Sequence, residues 1–271
     1  MPSGRLLQLG SVCVVAARNM LLGANLVSIP LWRNPRRFAS YVSDMLFFHK
    51  TFTNTRGLPQ KNVFEVLGEA NAISDIRLAT IPNKENWFHL NASYVVDIVS
   101  LCMLTLILKP RVVFEIGTLY GYTALHFALN APAGVQVFTL DLPKTGVKQP
   151  ILLKTTYIDD LHIESRPQPY LFSGSEVESN IQCLFGDSAT FDFTSHAGQV
   201  DLFFIDGAHS YEYVRSDTKN ALRCCHPGSV IAWHDFGRAG VNGVSKWLAE
   251  FSRDREIYSV PGGSVAFMVV K

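Results

Sequence analysis

Two short clusters of aspartate and histidine contain the residue types that metal or proton-transfer chemistry requires. Asp206 and His209 follow one apolar run, and His234 and Asp235 follow another. Both runs have the character of buried parallel strands, whose carboxyl ends meet at one edge of a sheet. Two carboxylates beside a histidine form a partial cage for a hard divalent cation such as Mg²⁺. We therefore expect Asp206, His234 and Asp235 to be metal ligands, and His209 to be a general base for a substrate hydroxyl.

A glycine loop earlier in the chain predicts a second kind of site. An apolar strand-like run ends at Glu115, and Gly117 and Gly121 then precede a helical pattern. A strand, a glycine turn and a helix hold a nucleotide-like ligand against the helix N-terminus. The spacing is E-x-G-x-x-x-G rather than G-x-G-x-x-G, which favours S-adenosylmethionine (SAM) over a dinucleotide. Glu115 can accept a hydrogen bond from the ligand's amino group, and Tyr120 can wall the site.

These motifs resemble those of the class I SAM-dependent methyltransferases. E-I-G-T-x-x-G-Y-T is most similar to the metal-dependent catechol and caffeoyl-CoA O-methyltransferases. D-G-A-H-S-Y and the later W-H-D resemble the macrocin and mycinamicin sugar O-methyltransferases and the cephalosporin-hydroxylase-like proteins. The resemblance covers roughly residues 112–271. Catechol-type enzymes have lysine at the position of His209, and some macrolide enzymes have glutamate at that of His234, which leaves the role of His234 open.

The resemblance implies a set of SAM-binding residues at the strand ends. Asp141 would bind the ribose hydroxyls, although a dehydrogenase also needs an acid there. Asp187 and Ser188 would read the adenine edge, or alternatively cap a following helix. The expected cofactor-binding residues are Glu115, Gly117, Thr118, Tyr120, Gly121, Thr123, Asp141, Leu142, Asp187, Ser188 and Asp206.

The elements that must position these residues follow from the apolar patterns. Strands and helices alternate, which predicts an α/β, Rossmann-like, doubly wound fold with a mostly parallel seven-stranded sheet. The expected strands are Arg111–Ile116, Gln136–Leu140, Ile181–Phe185, Val200–Ile205, Ser229–Trp233, Glu256–Val260 and Ser264–Val270. The main expected helices are Asn91–Leu108, Tyr122–Asn130, Tyr211–Cys225 and Asn242–Arg253. Pro261-Gly262-Gly263 signals a turn, so we expect the sheet to end in an antiparallel hairpin.

The chain divides into two regions on this pattern. Residues 1–90 form a helical N-terminal arm or extension without a chemical signature, and residues 91–271 form the methyltransferase domain. Residues 143–180 are a proline-containing insertion, which is either a lid over the ligand or a solvated loop. For the arm we favour contact between copies of the chain in a homo-oligomer. Attachment to a membrane surface and a cleaved signal segment are less favoured alternatives.

Composition limits the partners and the compartment. The chain has 271 residues and a formal net charge of +1, so no whole-chain field draws it to nucleic acid. Its 5 cysteines form no C-x-x-C pair or framework, which is typical of a reduced, cytoplasmic protein without structural zinc. The adjacent Cys224 and Cys225 are expected to be buried packing residues.

The function that we predict is Mg²⁺-dependent O-methylation of a hydroxyl on a small molecule, a glycosylated or phenolic secondary metabolite. Three alternatives stay open. The chain is a metal-independent SAM methyltransferase with another acceptor, a non-catalytic SAM-binding protein, or an NAD-binding oxidoreductase. The missing G-x-G-x-x-G and the terminal hairpin count against the last of these.

Overall fold

A computed structural model describes residues 57–68, 75–79, 92–143, 152–165 and 169–271, together with the helical positions 35, 39, 42 and 43. The expectations for the N-terminal arm therefore lie almost wholly outside the described residues. So do parts of the 143–180 insertion, at residues 144–151 and 166–168.

Seven strands form one sheet in the order β3-β2-β1-β4-β5-β7-β6. They are β1 Val112–Ile116, β2 Gln136–Asp141, β3 Ile181–Phe185, β4 Val200–Ile205, β5 Cys225–Trp233, β6 Tyr258–Ser259 and β7 Ala266–Val269. The pairs among β1 to β5 are parallel, and β7 runs antiparallel to both β5 and β6. The predicted fold class is confirmed.

Six α-helices with defined bounds accompany the sheet in the described residues, apart from the helical positions 35, 39, 42 and 43. They are α1 Val63–Leu67, α2 Ala92–Leu108, α3 Tyr122–Asn130, α4 Tyr157–Ser165, α5 Tyr211–Cys224 and α6 Asn242–Phe251. The sequence analysis did not predict α4, which lies in the insertion. No helix in these parts of the chain is both long and apolar enough to span a membrane.

One boundary differs from the prediction at the adjacent cysteines. The helix α5 ends at Cys224, and β5 begins at Cys225 rather than at Ser229. Pro227 cannot continue a helix, so the chain turns directly into the strand. Both thiols are buried, with 0% and 7% exposure, as the sequence analysis predicted.

The core lies on both faces of the central strands. Phe114 and Phe203 pack on one face with residues of α5 and α6, while Val113 and Phe204 pack on the other with residues of α2 and α3. Successive side chains of a strand point to opposite faces, so each buried strand serves both layers. The polar groups of the site are thereby confined to the carboxyl edge of β1, β4 and β5.

Candidate functional site

The end of β1 carries a buried acid that bonds to the neighbouring strand. Glu115 is 1% exposed, and its Oε2 accepts a hydrogen bond of 2.5 Å from the Thr139 hydroxyl. The Thr139 and Thr118 hydroxyls are 2.6 Å apart. Burial raises the pKa of Glu115 well above its ordinary value, and the Thr139 hydrogen bond opposes this only partly. Thr139, which the sequence analysis missed, thus links two predicted cofactor residues, whose contact with a ligand stays a prediction.

The two glycines of the loop are required by close approaches within the protein. Gly117 has φ +101°, and a Cβ there would lie 2.0 Å from the backbone oxygen of Asp206. Gly121 has φ +73° at the start of α3, and a Cβ there would lie 2.5 Å from the ring of Phe172. Part of the motif therefore serves to bring the loops after β1 and β4 together.

The acid at the end of β2 orders the same loop. Asp141 Oδ2 accepts a hydrogen bond from the backbone N–H of Leu119 at 3.1 Å, and Oδ1 accepts from Leu142 at 2.7 Å. Leu119 has φ +45°, a strained conformation for a residue with a side chain, of the kind that clusters at functional sites. The structure thus places Asp141 and Leu142 beside the glycine loop, with Tyr120 and Thr123 in or next to it. Ribose binding stays a prediction.

The acid after β3 is engaged within the protein. The Asp187 carboxylate accepts hydrogen bonds from the backbone N–H groups of Leu152 and Ala189, at 2.8 and 2.9 Å, and from the Tyr213 hydroxyl at 3.0 Å. A turn, rather than a helix, follows it, so Asp187 and Ser188 are not helix N-caps. Asp187 instead ties the insertion and α5 to this loop. Contact of either residue with adenine stays a prediction.

The ends of β4 and β5 bring together two aspartates and two histidines. Nδ1 of His234 lies 3.0 Å from Oδ1 of Asp206 and 3.4 Å from Oδ1 of Asp235. Nε2 of His209 lies 2.8 Å from Oδ2 of Asp235. Asp235 has φ +61°, a second strained backbone position. The structure therefore assembles all four residues that the sequence analysis assigned to metal binding and catalysis.

Two further carboxylates hold the outer ring nitrogens of these histidines. Oδ1 of Asp159, on α4, lies 2.5 Å from Nδ1 of His209. Oδ2 of Asp97, on α2, lies 3.2 Å from Nε2 of His234. The sequence analysis missed both, although Asp97 is the one charged residue in the apolar sequence of α2. A lone acid in such a helix is a signal, because a buried charge requires a partner.

Arg238 completes the charged cluster. Its Nε lies 3.1 Å from Oδ1 of Asp235, and its NH2 group lies 3.1 Å from Oδ2 of Asp97. Sequence reasoning did not single it out, since an arginine three residues after Asp235 has no motif of its own. It supplies the cluster with a permanent positive charge.

The cluster shifts the pKa values of its members strongly. Burial alone lowers the pKa of His209, but the Asp159 and Asp235 carboxylates outweigh it and raise the value to about 10. Burial also lowers the pKa of His234, yet Asp206 and Asp235 raise it well above its ordinary value. In this arrangement His209 is an imidazolium at neutral pH. For His209 to act as a base, the Asp235 carboxylate must therefore pair with another positive group instead of with His209.

The donor set fits a divalent cation. One donor atom each from Asp206, His209 and Asp235 lies within 4.8 Å of the others. His234 offers a further nitrogen beside the same two carboxylates. A cation at this edge would replace the contacts that the two histidines now make with Asp206 and Asp235, since metal ligands bind in their deprotonated forms.

An aromatic wall adjoins the cluster. Tyr94 on α2 and Tyr122 at the start of α3 stack with ring centroids 5.9 Å apart. The rings of His234 and Tyr94 are arranged edge to face, with their centroids 6.4 Å apart. Burial raises the pKa of Tyr94 well above its ordinary value, and the negative charge of Asp206 is the second cause. Aromatic rings of a largely buried cluster thus lie next to the charged groups.

Comparison with known proteins agrees with this architecture. Residues 114–236 match the profile of a family described as a methyltransferase domain. A curated relative, the uncharacterized protein y4gI of Sinorhizobium fredii (strain NBRC 101917 / NGR234), is 24% identical over 212 residues, which are 72% of this chain and 21% of that protein. The chain thus spans about a fifth of that relative's length.

Several solved structures are distantly similar. The O-methyltransferase TomG of Streptomyces achromogenes, in complex with SAM, is 18% identical over 75% of this chain and 91% of its own, with a TM-score of 0.46. An O-methyltransferase from Bacillus cereus is 17% identical over 78% of this chain and 92% of its own, with a TM-score of 0.45. The methyltransferase PaMTH1 of Podospora anserina is 14% identical over 80% of this chain and 100% of its own, with a TM-score of 0.48. Likenesses this distant assign no activity to this chain.

The family match and the sheet order point to one conclusion. The matched segment runs from β1, through the glycine loop, to Asp235 at the end of β5. It therefore contains every strand end that carries a predicted site residue. The family match and the sheet order therefore single out the same part of the chain, residues 114–236, in which all the predicted site residues lie.

Proposed function

We propose that this protein transfers the methyl group of SAM to a hydroxyl of a small molecule, assisted by a divalent cation. One observation carries the proposal. Asp206, Asp235 and His209 gather their donor atoms within 4.8 Å of one another, at the sheet edge that also holds the glycine loop. Methyl transfer from a sulfonium to oxygen requires the acceptor to be held in line and its hydroxyl to be activated.

The residues of the cluster have distinct roles in this proposal. Asp206 and Asp235 would hold the cation, for which Mg²⁺ is the choice from the sequence, and the cation would supply Lewis-acid activation of the acceptor hydroxyl. His209 would receive the hydroxyl proton at Nε2, while Asp159 holds Nδ1 and fixes the ring. General base catalysis of this kind contributes about 10²- to 10⁴-fold in rate.

The surroundings favour an acceptor with an apolar, aromatic or glycosylated body. The stacked rings of Tyr94 and Tyr122, which belong to a largely buried cluster with Ile98 and Cys102, place aromatic groups beside the charged residues. Offset stacking on such rings favours a planar group by about 0.5–1.5 kcal/mol beyond the buried area. A phenolic secondary metabolite fits these surroundings. Contact between copies through the N-terminal arm, residues 1–90, and a cytoplasmic location stay proposals.

A second candidate function is a methyltransferase without a metal. Arg238, His209 and His234 already pair with the carboxylates of Asp206 and Asp235. Asp206 and Asp235 would then contact SAM or the acceptor directly. This candidate differs from the first in one measurable respect, namely that a chelator leaves its activity unchanged.

Calorimetric titration with SAM tests the proposal, first in Mg²⁺ and then in EDTA. We expect micromolar SAM binding, and a change in heat or affinity with the cation. Methyl transfer from labelled SAM to a panel of phenols and glycosides follows, with Asp206→Asn against the exposed-site control Asp192→Asn. Loss of transfer in the first variant alone supports the proposal. Absence of SAM binding in either buffer contradicts it, and transfer that is unaffected by EDTA supports the metal-free candidate.

A further inference from the structure

His234, at the end of β5, is held from outside the site by the buried Asp97. Oδ1 of Asp97 accepts hydrogen bonds from the N–H groups of Ser264, at 2.5 Å, and Val265, at 3.2 Å. Oδ2 accepts from the Ser264 hydroxyl at 2.8 Å. A Cβ on Gly263 would lie 2.3 Å from Oδ1, so only glycine lets the hairpin close over this carboxylate. Asp97 is therefore fixed by its surroundings.

This fixed carboxylate decides which nitrogen of His234 faces the site. An ionised carboxylate only accepts hydrogen bonds, so Nε2 of His234, 3.2 Å from Asp97, carries a proton. Nδ1 is the nitrogen that lies between Asp206 and Asp235, at 3.0 and 3.4 Å. A metal-binding histidine has the same arrangement, with one nitrogen on the metal and the other donating to a carboxylate that fixes the tautomer.

We propose that Asp206, Asp235 and Nδ1 of His234 bind a divalent cation that favours nitrogen, such as Mn²⁺, Fe²⁺, Co²⁺ or Zn²⁺, in preference to Mg²⁺. Asp97 is the positioning residue that presents Nδ1. This inference rests on the cation-assisted function proposed above and names the class of cation. Mg²⁺ prefers oxygen ligands and retained waters, whereas imidazole suits the transition-series ions and zinc.

His234 is the better nitrogen ligand of the two histidines. Its Nδ1 lies close to carboxylate oxygens of both Asp206 and Asp235. The hydrogen bond from the inner nitrogen of His209 goes to Asp235 alone, at 2.8 Å. Because the donor atom of His209 also falls within 4.8 Å of those of Asp206 and Asp235, a test must separate the two histidines.

Pulsed electron paramagnetic resonance of the Mn²⁺-loaded full chain is the direct test. A coordinated imidazole nitrogen couples to the Mn²⁺ electron spin, and oxygen ligands give no such coupling. The variants are His234→Asp, which restores an all-oxygen set, and His209→Gln. His226→Gln is the matched control, because His226 lies near the opposite end of β5, beside Asp201. Calorimetry gives the Mn²⁺ and Mg²⁺ affinities of each protein.

We expect the wild type to bind Mn²⁺ more tightly than Mg²⁺ and to show nitrogen coupling. His234→Asp should lose the coupling and shift its preference toward Mg²⁺, while the other two variants keep both properties. Coupling that disappears in His209→Gln but persists in His234→Asp overturns the assignment, as does tighter Mg²⁺ binding by the wild type. SAM binding without any cation binding overturns the cation site but leaves the methyltransferase. Absence of SAM binding removes the proposed function itself.

Asp97→Asn tests the positioning role separately. It should weaken Mn²⁺ binding by about 10- to 100-fold, the usual effect of losing a carboxylate behind a metal-bound histidine, with SAM affinity retained. Unchanged Mn²⁺ affinity overturns the role of Asp97. Urea unfolding checks that the variant folds, and His234→Asp stays decisive if it does not.

Discussion

At the scale of single residues, the site is a network of buried charges that satisfy one another. Its members are Asp97, Asp159, Asp206, Asp235, His209, His234 and Arg238. Each histidine bridges an inner carboxylate and an outer one. A buried charge is stable only when it is paired. Removing one member therefore leaves its partner as an unpaired buried charge and destabilises the fold.

Stability should fall as the pH rises through the alkaline range. The pKa of His209 is raised to about 10 in the folded protein, against about 6.5 when unfolded. Such a group stabilises the fold fully below its unfolded pKa, and this contribution is lost as the pH rises through its folded pKa. Urea unfolding across this window should show a smaller free energy at high pH. His209→Gln should reduce the slope, and an equal slope in both proteins contradicts the assignment.

Asp217 on α5 presents the opposite case, a buried acid that destabilises the fold. It is 0% exposed, and the nearby Ser188 hydroxyl opposes the effect of burial on its carboxylate only partly. Burial raises its pKa to about 7. Ionising an acid with a raised folded pKa disfavours the fold, increasingly from its unfolded pKa of about 3.9 up to its folded pKa.

Asp217→Asn should therefore stabilise the protein more above about pH 7 than near pH 4. Thermal unfolding at both pH values measures this. Asp192→Asn is the control of opposite sign, because its hydrogen bonds from Thr194 lower the pKa of Asp192. A gain for Asp217→Asn that is equal at the two pH values contradicts the raised pKa of Asp217, because it means that the carboxyl ionises alike in the folded and the unfolded chain.

At the scale of elements, α4 connects the insertion to the carboxyl edge of the sheet. Oδ2 of Asp159 accepts from the N–H of Thr156 at 2.6 Å, and the Thr156 hydroxyl accepts from the N–H of Asp159 at 3.3 Å. This is a capping box at the start of the helix. Because Oδ1 of the same carboxylate holds His209, the first turn of α4 and the position of His209 are coupled. The described part of the insertion thus contacts His209, and its role as a lid over a ligand stays a prediction.

Removing Asp159 should loosen α4 and His209 together. Loss of the cap alone costs about 0.5–2 kcal/mol, and leaving the partner of a buried ion pair uncompensated costs about 3–5 kcal/mol. Hydrogen exchange of residues 157–165 should therefore accelerate in Asp159→Ala, along with exchange of the His209 amide. Asp160→Ala, one residue further along the helix, should leave the His209 amide protected. Equal effects of the two variants on exchange of the His209 amide would contradict the coupling between α4 and His209.

At the scale of the whole molecule, the sheet order brings distant parts of the chain to one edge. The contact between the loops after β1 and β4 is so close that Gly117 tolerates no side chain. The hairpin of β6 and β7 closes on Asp97 of α2 in the same manner at Gly263. Gly117 and Gly263 thus allow the close contacts that bring Asp206 and Asp97 to the site.

Gly117→Ala should be far more destabilising than Gly134→Ala. Both glycines have positive φ, +101° and +85°, but nothing lies within 4 Å of a Cβ on Gly134. The left-handed conformation alone costs about 1–2 kcal/mol for alanine, which is the change expected for Gly134. At Gly117 the clash with the Asp206 backbone adds to this and requires the β4 loop to move. Equal losses of unfolding free energy contradict the close approach.

The sequence predicted most of the fold and the inner half of the site. Alternating apolar runs indicated the seven strands, and the residues at their ends indicated Glu115, Asp141, Asp206 and Asp235. The α4 helix was missed because its sequence is polar and short, and tertiary contact rather than apolar periodicity stabilises it. The same lack of a local signal hid Thr139, which appeared only as one residue of a strand.

The sequence by itself determined the order of the strands along the chain, the glycine loop and the acids at the carboxyl edge, because local patterns encode these features. Only the tertiary structure decided the partners of the two histidines. Asp159 is 50 residues from His209 in the chain, and Asp97 is 137 residues from His234. Pairings at such separations depend on how helices dock on the sheet, and no local pattern contains that information. The protonation of the histidines, and the choice of ring nitrogen that faces the site, follow from those pairings.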